Sequence, residues 1–133
     1  MVELDREGRL PLHYTALENK VAETEERLAL GDDPNLGDRR GFTPLHLAVQ
    51  QGAAEAARVL LDHGAEVDKV NIYGNTALSI AVFYSRGRGD LIALLRGLGA
   101  DPLKANNSGQ TPVGTARLIS NYDVAQFFRD IPD

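Results

Sequence analysis

The stretch Gly41-Phe42-Thr43-Pro44-Leu45-His46-Leu47-Ala48 decides the fold, because its pattern recurs along the chain. Weaker copies begin at three other glycines, Gly8, Gly74 and Gly109. The four glycines are separated by 33, 33 and 35 residues. A fixed interval of this length is typical of a stacked array of structural repeats.

A second glycine series, Gly31, Gly64 and Gly99, has intervals of 33 and 35 residues. Since both series lengthen by two at the same stage, an insertion lies between Gly74 and Gly99, around Ser85-Arg86. Gly64 and Gly99 suit the left-handed position that closes a helix. The residues that follow each of these glycines are rich in turn formers and predict turns.

Thr followed by Pro predicts a helix start, because the Thr hydroxyl accepts a free amide hydrogen bond and Pro has its φ preset. Helices are therefore expected to begin near Thr43, Thr76 and Thr111. A second helix follows each, with apolar residues at i, i+3 and i+4. These residues are Ala56, Val59 and Leu60, then Leu91, Leu94 and Leu95, then Val124, Phe127 and Phe128. Ten residues are expected to be buried: Leu45, Leu47, Ala48, Val59, Leu60, Leu78, Ala81, Leu91, Leu94 and Leu95.

The sequence resembles ankyrin-repeat proteins, whose repeat of about 33 residues and T-P-L-H-x-A signature it shares. The resemblance covers about residues 5–129, as three repeats and a truncated fourth, and small stand-alone bacterial members of the family are most similar in composition. It implies an all-α solenoid of stacked antiparallel helix pairs with projecting β-turn loops. We expect a single domain, 1–133, with repeats at about 5–37, 38–70, 71–105 and 106–129.

Composition restricts the classes of function. The chain has 133 residues, of which 43% are hydrophobic and 25% charged, and it contains no Cys. This composition predicts one globular domain without disulfides or thiolate metal sites. No apolar run suggests a membrane span or a secretory signal, so a cytoplasmic location and no membrane partner are expected. The net charge of −5 and the pI near 5.1 oppose a nucleic-acid partner.

No known catalytic motif or helical metal-binding pair of His residues occurs, so no catalytic, cofactor-binding or metal residue is predicted. His46 and His13 invite an active-site interpretation. The resemblance instead implies that this His hydrogen-bonds the Thr at its own helix start and neighbouring backbone. The chain is therefore expected not to be an enzyme and to need no cofactor.

The resemblance also implies that partner-binding residues lie at the turn tips and at the ends of the first helices, along the concave face. Mapping those positions gives Arg39, Arg40, Phe42, Ile72, Tyr73, Asn75, Phe83, Tyr84, Arg86 and Arg88. Four of the eight Phe and Tyr residues are in this set. Aromatic and Arg residues are enriched at the centres of protein interfaces. Packing between adjacent turns explains Phe42 equally well.

The sequence therefore predicts a non-catalytic module that is monomeric when free and binds one folded protein with an acidic, partly apolar surface. An immunity protein, which binds and blocks a toxin or enzyme, is the specific version that similarity to small bacterial members favours. A general scaffold or adaptor is the main alternative. An enzyme with its site in the groove is a weaker one.

Overall fold

The computed structural model describes residues 3–132, which form seven α-helices and one 3-10 helix and contain no strand. The α-helices are α1 (Pro11–Leu17), α2 (Val21–Ala29), α3 (Pro44–Gln50), α4 (Ala54–Asp62), α5 (Ala77–Tyr84), α6 (Asp90–Gly97) and α7 (Pro112–Leu118). The 3-10 helix, Val124–Phe128, comes last. No helix within this described range has the length and apolar character needed to cross a membrane.

The helices form pairs that stack in chain order. Helices α1 and α2, α3 and α4, α5 and α6, and α7 and the 3-10 helix contact each other as pairs. Along the stack, α1 contacts α3, α3 contacts α5, and α5 contacts α7. Helices α2, α4 and α6 make a second layer. This arrangement confirms the all-α solenoid that the resemblance to ankyrin-repeat proteins implies.

The three predicted helix starts are confirmed. Thr43, Thr76 and Thr111 are the residues immediately before α3, α5 and α7, and each hydroxyl accepts the N–H three residues further on. These bonds are 3.2, 3.3 and 3.0 Å long. They satisfy one of the amide groups that a helix leaves free in its first turn.

An Asp or Asn side chain organises the turn that precedes each first helix. Its Oδ1 accepts the N–H groups of the residues two and four positions later, at 2.8–3.1 Å. The four residues are Asp5, Asp38, Asn71 and Asn106. Adjacent turns are joined by backbone bonds: Arg39 N–H donates to Glu7 (2.9 Å), Ile72 to Arg40 (3.0 Å) and Asn107 to Tyr73 (3.0 Å).

The glycines of the first series allow the turns to approach this closely. Gly41 has a φ of +76°, and a Cβ placed on it would lie 3.0 Å from the Asn71 Cα. Gly74 also has a φ of +76°, and its Cβ would lie 2.8 Å from the Asn107 nitrogen. The periodic glycine therefore reflects both a left-handed backbone and contact with the next turn.

The core lies between the two helix layers, and two predicted core residues are corrected. Val59 and Leu94 are only half-buried. The buried sets are instead Ala56, Ala57 and Leu60 in α4 and Leu91, Ile92 and Leu95 in α6. The buried face of α4 is rotated towards Ala57 because α4 contacts α1, α2 and α6 in addition to α3.

The two-residue insertion lies where the spacing predicted. Helix α5 is one residue longer than α3, and the loop after it contains Arg86 (φ +51°) and Gly87 (φ +85°). Gly87 takes the left-handed position that Gly52 (φ +74°) and Asn19 (φ +57°) take in the earlier repeats. The extra residues therefore lie at the end of α5 and in the loop that follows it, inside the third repeat.

The last predicted helix is a 3-10 helix. Val124 and Phe128 are buried in it, whereas Phe127 is half-buried. Arg96 of α6 donates to the Phe127 carbonyl (2.8 Å) and pairs with Asp130 (2.6 Å). The Arg96 side chain thus anchors the end of the chain to α6.

Candidate protein-binding groove

The outer turns and the ends of the first helices line a groove of about 440 Å³. Six of the ten predicted partner-binding residues contribute to its walls: Arg40, Phe42, Tyr73, Asn75, Phe83 and Tyr84. The other four, Arg39, Ile72, Arg86 and Arg88, lie outside it. Arg39 and Ile72 are exposed at the turn tips, Arg86 is exposed in the inserted loop, and Arg88 borders a small recess beside Gly52.

Arg40, Phe42 and Tyr73 form one aromatic cluster in the groove. The Arg40 guanidinium lies 5.8 Å from the Phe42 ring centre and 5.4 Å from that of Tyr73, and it donates a hydrogen bond to the Tyr73 hydroxyl. The two rings meet edge-on at 6.4 Å. Phe42 is also partly buried against the core, so it both packs and lines the groove.

Phe83 and Tyr84 form a second cluster at the end of α5. Their rings meet edge-on at 5.1 Å, and Phe83 is 70% exposed. Leu118, which is 76% exposed, ends α7 at the equivalent position of the next repeat. Sequence reasoning missed Leu118, although its position 35 residues after Phe83 was a sufficient signal. Large exposed apolar side chains in a group mark surfaces that bind other molecules.

The floor of the groove contains residues that the sequence analysis did not assign. Leu47 and Ile80 supply apolar surface, and Asp38, Asn71 and Asn106 supply the polar groups of the turns. These turn residues carry a repeating signal, because they precede the first-series glycines by three residues.

The buried carboxylate of Asp38 forms an ion pair with the partly exposed Arg9 at this floor. Its Oδ2 lies 3.0 Å from Arg9 Nε. Burial opposes ionisation, but the Phe42 N–H and the Arg9 guanidinium hold the pKa of Asp38 below its ordinary value. Asp38 is therefore charged, and its charge is balanced by Arg9 and not by Arg40.

The side chain of Asn71 has a buried hydrogen-bond donor without an acceptor. Asn71 is 6% exposed, and its Nδ2 has no hydrogen-bond partner among residues 3–132. Its Oδ1 accepts the N–H groups of Tyr73 (3.0 Å) and Asn75 (3.1 Å), which fixes the orientation of the amide. A buried donor left in this way costs about 1–3 kcal/mol.

The family model described as ankyrin repeats matches residues 12–106, in three copies. The chain belongs to the ankyrin-repeat family. This match includes the turns at 38–42 and 71–75 and helices α3 and α5, which build most of the groove.

Three ankyrin-containing relatives illustrate the similarity. Mus musculus ankyrin repeat domain-containing protein 13B is 48% identical over 77 residues, 57% of this chain and 12% of the relative. Homo sapiens NF-kappa-B inhibitor alpha is 38% identical over 97 residues, which are 68% of this chain and 30% of the relative. Homo sapiens transient receptor potential cation channel subfamily A member 1 is 34% identical over 115 residues, which are 86% of this chain and 10% of the relative. The chain spans less than a third of each of these relatives.

The ankyrin repeat is a non-catalytic protein–protein interaction domain. His46 and His13 act here as structural groups. His46 Nδ1 accepts the Thr43 N–H (2.9 Å), and its Nε2 donates to the Lys69 carbonyl (2.8 Å). His13 accepts the Leu10 N–H (2.9 Å) in the same way. Residues 3–132 contain no group of three His, Asp or Glu side chains that could hold a metal ion.

Proposed function

We propose that this ankyrin chain is a non-catalytic inhibitor that binds one folded protein in its groove, as an immunity protein that blocks a toxin or enzyme. One observation carries the proposal: exposed aromatic side chains and Arg40 gather in a single groove. Trp, Tyr and Arg residues supply most of the binding energy at protein interfaces, and Phe is also enriched there. We expect the free chain to be monomeric and cytoplasmic.

The charges of the groove favour an acidic partner. Arg40 has no carboxylate within ion-pair distance in the described part of the chain, and Arg39, Arg86 and Arg88 lie exposed around the groove. A partner with acidic residues beside apolar ones would pair with the arginines and cover Phe83 and Tyr84.

The inhibitory role is supported by a relative whose printed name states inhibition, NF-kappa-B inhibitor alpha. A scaffold or adaptor is the second candidate. Catalysis in the groove is less well supported. The titratable pairs described there, Arg9 with Asp38 and Arg40 with Tyr73, place no nucleophile beside a general base.

The test is affinity capture from the native host with the tagged chain and two matched variants. One variant carries Tyr73→Ala, Phe83→Ala and Tyr84→Ala in the groove, and the control carries Glu23→Gln, Glu25→Gln and Glu26→Gln on α2. The groove variant should lose the partner, since each buried aromatic contributes at least about 2 kcal/mol, or about 30-fold in affinity. The control should retain it. Retention by the groove variant would contradict the proposal.

The captured partner then distinguishes inhibitor from scaffold. An inhibitor should abolish the activity of the partner at one-to-one stoichiometry. A scaffold should leave that activity unchanged and bring a second protein into the complex.

A further inference from the structure

Three successive junctions between turns have the same backbone geometry but different side-chain chemistry. At the first, Arg9 donates to the turn residue Asp38 (3.0 Å). At the third, Asn75 Oδ1 accepts from the turn residue Asn106 (2.8 Å). In each case the residue four positions after one turn Asp or Asn pairs with the Asp or Asn of the next turn.

The second junction breaks this rule. The residue that should pair with Asn71 is Phe42, which lies four positions after Asp38. The Phe42 side chain has no hydrogen-bond acceptor. The Asn71 Nδ2 is consequently left without a partner in the described residues. Since both Asn71 oxygen bonds go to its own turn, rotation of the amide cannot satisfy the nitrogen without breaking them.

This donor lies in the wall of the groove beside a cation. Arg40 and Asn71 line the same groove, and Arg40 is exposed. The side-chain hydrogen bond that Arg40 makes within residues 3–132 goes to the Tyr73 hydroxyl, which leaves its charge without a counter-ion. Tyr73 is itself 43% exposed, so a docking partner can displace this contact.

We propose that the junction of the second and third turns is a carboxylate-binding slot, in which Asn71 and Arg40 donate to an Asp or Glu side chain of the protein partner. This inference rests on the proposed function and names the chemistry that the groove selects. Asn71 is a specificity-determining residue in it. Because its nitrogen is closed to solvent, a carboxylate can reach it only when the side chains that cover it move.

A carboxylate fits this slot better than other groups. It accepts from a neutral amide and balances the Arg40 charge in one step, and hydrogen bonds to an ionised acceptor are the stronger kind. A neutral amide would leave the charge unbalanced, a cation would be repelled, and an apolar side chain would leave the Asn71 donor unsatisfied.

Two variants of nearly equal shape isolate the role of Asn71. Phe42→Asn supplies an amide oxygen at the position where Asn75 satisfies Asn106, and so pairs the Asn71 donor internally. Phe42→Leu removes the same ring but leaves the donor free. Arg40 is present in both, and thermal melting checks that both are folded.

The probe is a positional-scanning library of acetylated, amidated nonapeptides, with binding measured by fluorescence anisotropy. The wild type and Phe42→Leu should prefer pools with a fixed Asp or Glu over the matching Asn or Gln pools by about tenfold. Phe42→Asn should lose most of this preference. Asn71→Asp, which keeps the turn as Asp38 does, should also lose the acid preference, because the new carboxylate repels an acidic ligand and balances the Arg40 charge.

No acid preference in the wild type would overturn the inference, as would an equal preference in the two Phe42 variants. A different result would contradict the proposed function, namely capture of the native partner by the Tyr73, Phe83 and Tyr84 triple variant. Groove-dependent capture without acid preference would leave the proposed function standing and remove the slot.

Discussion

Acidification should destabilise this protein through His46, because the folded state requires its neutral imidazole. The ring is almost completely buried, its Nδ1 accepts the Thr43 N–H, and its Nε2 donates to the Lys69 carbonyl. A second proton on Nδ1 would break the first bond and place a charge in the core. Burial is the main cause that lowers the pKa of His46 from 6.5 to about 4.

The expected loss follows from this difference. The pKa of His46 is 6.5 in the unfolded chain and about 4 in the folded one. At about 1.4 kcal/mol for each pKa unit, full protonation reduces the free energy of unfolding by about 3 kcal/mol. Between these values the unfolded chain binds more protons, so stability is complete above pH 6.5 and falls as the pH drops towards 4. Burial also lowers the pKa of His13, which adds to the effect. Protonation of Asp38 removes further stability only below its ordinary pKa of 3.8.

The measurement is urea unfolding, followed by far-UV circular dichroism, at several pH values from 7.5 to 4.0. The wild type should lose about 3 kcal/mol or more across this range. His46→Gln should be less stable at pH 7.5 but should depend less on pH. His63→Gln, at an exposed position, is the control and should follow the wild type. A flat wild-type profile, or the wild-type slope in His46→Gln, would refute the reasoning.

Three further outcomes are expected. Leu60→Ala, in the centre of α4, should reduce the free energy of unfolding by about 2–5 kcal/mol in urea titration, and a smaller loss would mean that the repeats close the cavity. Gly74→Ala should lower the melting temperature because of its positive φ and its contact with Asn107, whereas Gly97→Ala in α6, with no atom within 4 Å of the new Cβ, should stabilise by about 0.5–1 kcal/mol. Arg88→Ala, outside the groove, should slow association with the partner and flatten its salt dependence in stopped-flow measurements, while dissociation stays near the wild-type rate.

The sequence predicted the features that depend on local chemistry. Thr43 and Pro44 define a helix start by hydrogen bonding and by a fixed φ, and Gly41 is required by its turn, so their positions could be identified without a structure. The inward face of α6 could not be fixed in the same way. Leu91, Ile92, Leu94 and Leu95 are all apolar, and only the neighbouring helices determine that Ile92 is buried and Leu94 is half-buried.

Part of the candidate site could likewise be predicted from the sequence, and part of it could not. The positions of Tyr73 and Phe83 in the groove followed from the repeat, because residues at equivalent places in stacked units share a face. The missing partner of Asn71 did not, since it depends on a side chain 29 residues earlier in the chain, Phe42. A pairing rule between turns becomes visible only when the turns are seen side by side.

The backbone bonds between turn tips have a consequence for how this chain tolerates changes in length. The bonded residues are 32 apart at the first two junctions and 34 apart at the third, yet the bonds measure 2.9, 3.0 and 3.0 Å. The inserted residues lie at the end of α5 and in the loop that follows it, which no such bond joins to its neighbours in the described chain. The pitch of the stack is therefore set at the tips, and the loop between paired helices is the place where new sequence, including a grafted binding segment, can enter without shifting the repeats that follow.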